Sequence, residues 1–130
     1  MSTLSVATIK SASSAAPVFQ NTSGTEIGTL CRVWINFDGT ATGGSIRDDF
    51  NVSTIGDNGT GDYTVNFSNS FSNANYCSTV SNGTTTGGRY GIIADSDGKG
   101  TDNARFYSFQ TSTGSSLDAE EVSIAFFGAN

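Results

Sequence analysis

What the chain lacks narrows its function before any motif is considered. It has no histidine, and its only cysteines are Cys31 and Cys77. Histidine-dependent triads and histidine metal sites are therefore excluded, and two cysteines are too few for a metal cluster or a disulfide framework. No GxSxG, P-loop or GxGxxG motif is present. We therefore expect that the protein is not an enzyme, uses no cofactor and holds no metal.

Charged residues are also scarce, and their balance is negative. They make up 14% of the chain, with a formal net charge of −6. Because neutralisation of phosphates by Lys and Arg dominates nucleic-acid affinity, an acidic chain without a basic cluster is a poor nucleic-acid binder. No apolar run approaches the roughly 20 residues needed to cross a bilayer, and the amino terminus lacks the pattern of an export signal. We expect no nucleic-acid partner, no membrane insertion and synthesis in a reducing cytoplasm.

Glycine and small β-forming residues dominate instead. The chain has sixteen glycines and one proline, which fits many short strands joined by tight turns. The clearest strand runs from Val33 to Phe37, where apolar residues occupy every second position. A similar alternation from Tyr63 to Phe67 follows the turn-forming residues 56–61, which predicts a β-hairpin whose first arm ends in a bulge or bend. Sustained alternation predicts these buried residues: Val33, Ile35, Phe37, Tyr63, Val65, Phe67, Val122, Ile124 and Phe126.

The rest of the chain predicts further strands and no helix. The predicted strands cover residues 76–81, 90–94, 104–110 and 122–126. Aromatic side chains occur on both faces of the third of these, which is typical of a strand buried on two sides or facing a neighbouring subunit. About seven closely spaced strands predict an all-β protein, an antiparallel, jelly-roll-like β-sandwich. We assign residues 30–130 to this sandwich domain.

The N-terminal residues 1–29 differ in composition from the rest. Ser, Thr, Ala and Asn dominate, Pro17 interrupts the segment, and strongly apolar residues are scattered. Such a segment buries too little surface to fold alone. It is either a loose tail or an extended leader that gains order against another subunit or a larger structure.

Several segments carry a resemblance to a known family. They read WINFDGT from Trp34, IRDDFNVSTI from Ile46, GDNGTGDYTVNFS from Gly56 and NANY from Asn73. In this order they resemble a module that recurs in tail fibres and other appendage proteins of tailed bacteriophages. The opening MSTLSVATIK and the later SGTEIG resemble the leader that often precedes this module. Residues 78–115 match no pattern of the family, so recognition by outer loops would lie there.

The resemblance implies a structural virion protein, made in the host cytoplasm. It implies a short tail fibre or fibre tip that binds the host cell surface, with a surface glycan as a partner. It further implies a homotrimer that attaches to other virion proteins through residues 1–29. A capsid decoration or cement protein is the alternative within virions, and a free carbohydrate-binding module is the alternative outside them. All three stay open at the level of the sequence.

A few side chains are candidates for contact surfaces. Arg89 and Tyr90 lie beside the Gly/Thr-rich residues 84–88, and we predict that they contact a bacterial surface glycan. Phe106 and Phe109 are candidates for a subunit boundary. Most aromatic residues of a small β domain belong to its core or an interface, but five, Tyr90 among them, could stack on sugar faces. These are Trp34, Tyr63, Tyr76, Tyr90 and Tyr107.

Three further patterns leave alternatives open. Cys31 and Cys77 are interpreted as small core thiols, with a disulfide as the alternative. Residues 95–102 are predicted to form a turn with part of a calcium-loop pattern, but the closing glutamate of an EF-hand is missing, which favours an ordinary solvated turn. Asp48 and Asp49 are adjacent in the chain, so in a strand they point to opposite faces and do not form a catalytic carboxylate pair.

Overall fold

Every regular element of the protein is a β-strand in the part of the chain that the structure describes. The computed structural model describes residues 5–10, 17–85 and 88–128. Within these ranges no helix has the length and hydropathy needed to cross a membrane. The strands are β1 (Phe19–Gln20), β2 (Glu26–Gly28), β3 (Cys31–Asp38), β4 (Ser45–Phe50), β5 (Val52–Gly59), β6 (Asp62–Phe67), β7 (Cys77–Gly83), β8 (Tyr90–Lys99), β9 (Asn103–Gln110) and β10 (Glu121–Phe127).

Eight of these strands form two antiparallel sheets. The first sheet has the strand order β4-β3-β10-β7, and the second sheet has the order β5-β6-β9-β8. Two sheets that face each other across a common core form a β-sandwich, and eight strands is also the strand number of a jelly roll. The predicted all-β antiparallel sandwich is confirmed.

The core lies between the two sheets and follows the alternation seen in the sequence. All nine residues predicted to be buried are buried. Directly opposite residues of antiparallel strands share a face, so the pairing of Ile35 with Ile124 places both side chains inside. The core also contains residues that the alternation did not predict to be buried, which are Phe71, Tyr76, Ala104, Phe106 and Ala119.

One end of the core is a cluster of aromatic rings. Phe67 makes edge-to-face contacts with Phe71, Tyr76 and Phe126, at centroid distances of 5.4, 5.8 and 5.0 Å. Phe126 also contacts Phe106 across the sandwich, at 5.8 Å. Each such pair contributes about 0.5–1.5 kcal/mol beyond the burial of its surface. The cluster therefore holds the segment between β6 and β7 in the core, although that segment forms no strand.

The other end of the core is closed by hydrogen bonds. The Tyr63 hydroxyl donates to Asp118 Oδ1 at 2.6 Å, and the backbone N–H of Gly61 donates to the same oxygen at 2.7 Å. Burial and the Asp118 carboxylate both raise the pKa of Tyr63, which keeps its hydroxyl a donor. The backbone N–H of Gly39 donates to the Ala119 carbonyl at 2.9 Å. Together these bonds fix the segment between β9 and β10 over this end of the sandwich.

The chain passes from the first sheet to the second at Asn51. Among the described residues it is the one non-glycine with positive φ, 62°, a conformation that asparagine tolerates better than most residues. Its Nδ2 donates to the Arg32 carbonyl at 3.1 Å, and its Oδ1 accepts from the Asn69 backbone at 2.8 Å. β4, which precedes this crossing, was not predicted, because all six of its residues are exposed and no apolar alternation marks it.

Two predicted turns differ from the structure in length. The predicted turn at residues 56–61 is confined to Thr60 and Gly61, because β5 continues to Gly59. Register shifts within β5 match the predicted irregularity of this arm. The predicted turn at residues 95–102 is wrong for its first half, because β8 continues to Lys99 with an irregular register after Ala94.

Apart from the half-buried Pro17, the described part of the leader is exposed. Residues 1–4 and 11–16 of the predicted leader lie outside the described residues. In the remainder, β1 and β2 pair as a small separate hairpin that belongs to neither sheet of the sandwich. Every residue from Phe19 to Leu30 is exposed, so this hairpin adds nothing to the core. The exposed large hydrophobic residues that precede β3 are Val6, Ile9, Val18, Phe19, Ile27 and Leu30.

β9 has aromatic side chains on both faces, and the two faces have different roles. Phe106 is fully buried, because its position pairs with the inward-facing Tyr63 on β6. It offers no surface of its own, so Phe109 is the boundary candidate with an exposed part, and its role stays a prediction. Tyr107 and Phe109 point outward and are partly exposed. Phe109 packs against Gly91, where a Cβ atom would lie 2.6 Å from the ring.

The two cysteines are free, and neither belongs to the core, because Cys31 is half-buried and Cys77 is exposed. Cys31 and Cys77 pair with opposite sides of Phe127 on β10. Neighbouring strands are about 4.8 Å apart, so two strand spacings separate the cysteine backbones by roughly 9.6 Å. This exceeds the Cα separation of about 7 Å beyond which a disulfide requires backbone movement. The interpretation as core thiols is wrong, and the disulfide alternative does not fit this fold.

Candidate functional site

Arg89 and Tyr90, the predicted glycan contacts, lie where β8 begins at the edge of the second sheet. Arg89 is exposed, and its carbonyl accepts hydrogen bonds from the backbone and the hydroxyl of Thr111, each at 3.0 Å. Tyr90 is half-buried and packs against the core. Residues 86–87 of the adjoining loop lie outside the described residues, and the role of Arg89 and Tyr90 stays a prediction.

The acidic residues after Ala94 serve structural contacts. Asp95 accepts hydrogen bonds from the Asp97 backbone at 3.0 Å and from the Tyr107 hydroxyl at 3.1 Å. Within the described ranges, no group of three or more Asp, Glu or Cys side chains is placed to hold a metal ion. Asp95 therefore orients Tyr107 on the outer face of the second sheet.

Arg105 and Asp62 form an ion pair on this outer face. Arg105 on β9 donates from Nε to Asp62 Oδ1 at 2.8 Å and from Nη2 to the second oxygen. This contact at two points lowers the pKa of Asp62 and raises that of Arg105. The guanidinium also lies over the Tyr107 ring, 5.1 Å from its centroid. Burial and the hydrogen bond to Asp95 raise the pKa of Tyr107.

Uncharged side chains on this face are also bonded to one another. Asn58 Nδ2 donates to Thr64 Oγ1 at 2.9 Å, and Asn66 Nδ2 donates to Thr54 Oγ1 at 3.1 Å. These bonds join β5 to β6, just as the Arg105 pair joins β6 to β9. The outer face of the second sheet thus uses much of its hydrogen-bonding capacity to hold its own strands together.

The outer face of the first sheet is different, because it contains a shallow groove that we call the Trp34 groove. Its floor lies over β10, whose outward residues Ser123 and Ala125 are small. Trp34 on β3 and Thr79 on β7 pair with Ala125 from either side, so larger side chains border the floor. The groove has a volume of about 350 Å³, near the lower end of the roughly 300–1,000 Å³ range of ligand pockets. Its lining is Trp34, Ile35, Asn36, Thr79, Val80, Ser81, Ser123, Ile124 and Ala125.

Residues with polar side-chain groups line this groove from three strands. Asn36 Nδ2 donates to Ser123 Oγ at 2.8 Å, which fixes the orientation of the amide. The Asn36 carbonyl oxygen, the Trp34 indole N–H and the hydroxyls of Thr79 and Ser81 form no hydrogen bond with any residue of the described ranges. They are therefore available to a ligand, whereas the side chains of the second sheet are bonded to one another.

No charged residue lines the Trp34 groove, but carboxylates flank it. Asp48 on β4 pairs with Asn36 on the same outward face. Glu121, at the start of β10, accepts from Asn36 Nδ2 at 3.4 Å. Phe50 extends the apolar side of the groove, because it pairs with Trp34 and is 55% exposed. The result is an uncharged, partly aromatic depression with two carboxylates beside Asn36 at its border.

Trp34 is one of the five aromatic residues that we considered from the sequence as candidates for stacking on sugars. No sequence pattern predicted the groove beside it. Of the five, Tyr63 and Tyr76 are buried and have no free ring face. The available signal was the outward parity of Trp34 and Asn36, opposite to that of the buried Val33. This parity identifies a face of one strand, but it does not say which strands flank it.

Comparison with known proteins identifies no relative of the chain. No family model matches the chain, no curated protein matches it, and no solved structure matches it. The resemblance to phage appendage modules therefore rests on the sequence segments alone and stays a prediction.

Proposed function

We propose that the protein is a structural component of a tailed-bacteriophage virion, a short tail fibre or fibre tip that binds the host cell surface. The resembling segments that begin at Trp34, Ile46 and Gly56 supply the strands β3 to β6. The resemblance thus covers framework strands of both sheets instead of a single loop. A rigid sandwich of this kind is suited to carry a binding surface at the end of an appendage.

The exposed apolar leader carries the proposal. Six of the nine large hydrophobic side chains exposed in the described part of the chain precede β3. Single exposed apolar residues are ordinary on a monomer, but a series along one segment marks an interaction site. The leader attaches the sandwich to another virion protein or to another copy of the chain, as an appendage requires.

The proposed assembly is a homotrimer in which the leader crosses or follows a neighbouring subunit. Cyclic symmetry is usual for soluble homo-oligomers, and the family resemblance favours a three-fold axis. Light scattering on the purified full chain checks the mass at micromolar concentration. A trimeric mass is expected, and a monomeric mass would contradict an autonomous trimer. A chain without residues 1–29 that still forms trimers and still attaches to particles would show that the leader is dispensable.

The location in the particle tests the virion role directly. An antibody against the sandwich domain, coupled to gold, is applied to particles of the phage whose genome encodes the chain. Gold at the tail or its tip is the expected result. Regular labelling of the head surface supports the capsid decoration protein instead. Particles without label, beside a positive control for a known tail protein, would overturn both virion roles.

A carbohydrate-binding module is the second candidate, because of one specific observation. The Trp34 groove combines an aromatic side with free amide and hydroxyl groups. A purified chain that is monomeric, binds a saccharide and is absent from particles would favour this candidate over a fibre protein.

A further inference from the structure

We propose that the Trp34 groove is a binding site for a neutral, hydroxyl-rich saccharide unit. This inference deepens the proposed host-binding function and depends on it for its biological meaning, but the site itself is argued from the groove alone. It places recognition on a sheet face, apart from Arg89 and Tyr90.

The shape of the groove sets the size of its ligand. Ala125 and Ser123 leave a depression along β10, and Trp34 borders it with a large planar side chain. The volume of about 350 Å³ accommodates a small ligand such as one or two sugar rings. The apolar face of a sugar ring packs against an indole, while the hydroxyls at its rim remain available for hydrogen bonds. The depression therefore suits a flat ligand with polar edges.

The hydrogen-bonding groups determine the ligand class. The Trp34 indole N–H donates only and the Asn36 carbonyl oxygen accepts only, while the hydroxyls of Thr79 and Ser81 do both. A ligand that matches this set needs closely spaced groups that each donate and accept. Saccharide hydroxyls have this property. An apolar peptide side chain would cover these groups and leave them without partners, which costs free energy.

The border of the groove determines the charge of the ligand. The carboxylates of Asp48 and Glu121 flank Asn36, and the chain as a whole has a net charge of −6. A ligand that carries a carboxylate or phosphate would meet like charges at close range. The site is therefore complementary to a neutral saccharide and disfavours an acidic one.

The position of the single tryptophan permits a direct test. Trp34 is the only tryptophan of the chain, so its intrinsic fluorescence reports on the groove alone. The full-length protein is titrated with methyl glucoside, methyl galactoside and methyl N-acetylglucosaminide, and with methyl glucuronide as the acidic counterpart. We expect a saturable change in fluorescence with at least one neutral probe, and a markedly weaker response to the glucuronide. No saturable response to any neutral probe at its highest soluble concentration would overturn the proposal.

Matched variants place the binding in the groove. Ala125→Leu fills the floor and should abolish the response, whereas Ala94→Leu, the same change at an exposed position of the second sheet, should leave it unchanged. Thr79→Val removes one hydroxyl with little change of shape and should weaken the affinity about threefold to tenfold. Because Thr79 is exposed, this variant remains informative if Ala125→Leu fails to fold. Equal affinities in wild type and Thr79→Val, together with a response retained in a folded Ala125→Leu variant, would overturn the site.

Two outcomes separate this inference from the proposed function. If Ala125→Leu leaves saccharide binding unchanged but lowers the oligomeric mass in light scattering, the groove is a subunit interface and the inference is wrong. If saccharides bind in the groove but gold labelling finds no chain on particles, the inference holds and the virion role is rejected.

Discussion

The leader and the sandwich contain similar apolar residues that reach opposite environments. Ile27 on β2 is 67% exposed, whereas Ile35 on β3 is almost completely buried. Both lie in paired strands, so strand formation alone does not bury a side chain. The difference is a second sheet, because only the inward residues of β3 face apolar side chains from a sheet opposite them. The leader hairpin has no such partner among the described residues, which is consistent with the assembly role that we propose for it.

Replacing a phenylalanine in the sandwich and one in the leader should give the largest difference in the free energy of unfolding between the two regions. Phe126→Ala removes a ring that contacts Phe67, Tyr76 and Phe106, and it leaves a cavity in the aromatic cluster. We expect the free energy of unfolding to fall by about 3–5 kcal/mol. Phe19→Ala, in the leader, is the matched control and should stay within about 0.5 kcal/mol of wild type. Denaturant titration measures both. Similar losses in the two variants would contradict the division into core and leader.

Two isoleucine variants, one in the core and one in the leader, should show a somewhat smaller difference in the free energy of unfolding. Ile35→Ala should lower the free energy of unfolding by about 2–5 kcal/mol, because its side chain packs in the interior opposite Ile124. Ile27→Ala changes an exposed side chain and should have an effect below about 0.5 kcal/mol. Thermal unfolding of the two variants in parallel provides the check, and an unchanged melting temperature for Ile35→Ala would show that the assigned core is wrong.

A smaller effect is expected at the hydrogen bonds that close the sandwich end. Asp118→Ala deprives the Tyr63 hydroxyl and the Gly61 N–H of a shared acceptor. The Tyr63 hydroxyl keeps the Gly39 carbonyl as an acceptor at 3.1 Å, but the buried Gly61 N–H loses its partner, which should cost about 1–3 kcal/mol. Asp118→Asn keeps an acceptor oxygen and should cost less than Asp118→Ala. Equal stabilities of the two variants, measured by denaturant titration, would show that the acceptor is not what holds this end closed.

The smallest effect should be the contribution of the Arg105–Asp62 ion pair to the pH dependence of stability. The hydrogen bond from Arg105 lowers the pKa of Asp62 below the ordinary value of 3.8. A carboxylate with a lowered folded-state pKa stabilises the protein above the unfolded-state pKa, and this contribution is lost as the pH falls through the folded-state value. Asp62→Asn should therefore reduce the stability lost below about pH 4.

Acid titration of the melting temperature measures this effect. Asp97→Asn is the control, since Asp97 is exposed and forms no ion pair with any described residue. The same acid dependence in wild type and Asp62→Asn would contradict a stabilising pair.

The Trp34 groove shows what the sequence could not predict about the candidate site. The parity of Trp34 and Asn36 already indicated that they point away from the core. The other side of the groove comes from Thr79 and Ser81, and its floor from Ser123 and Ala125, which are distant in the chain. Only the pairing of β10 with both β3 and β7 brings these residues together. A pattern within one strand carries no information about the neighbours of that strand.

The sequence by itself determined the fold class and most of the core. Side chains of a strand alternate between its two faces because of local backbone geometry. Val33, Ile35 and Phe37 therefore share one face whatever the neighbouring strands are, and their apolar character directs that face inward. Tertiary structure alone decided that Phe106 enters the core, that Asn51 crosses between the sheets and that Cys31 and Cys77 lie apart, outside the core. These outcomes depend on strand order and on which sheet each strand joins. Strand order and sheet membership are set by how the apolar side chains of all strands are buried together. No single segment of the sequence contains that information.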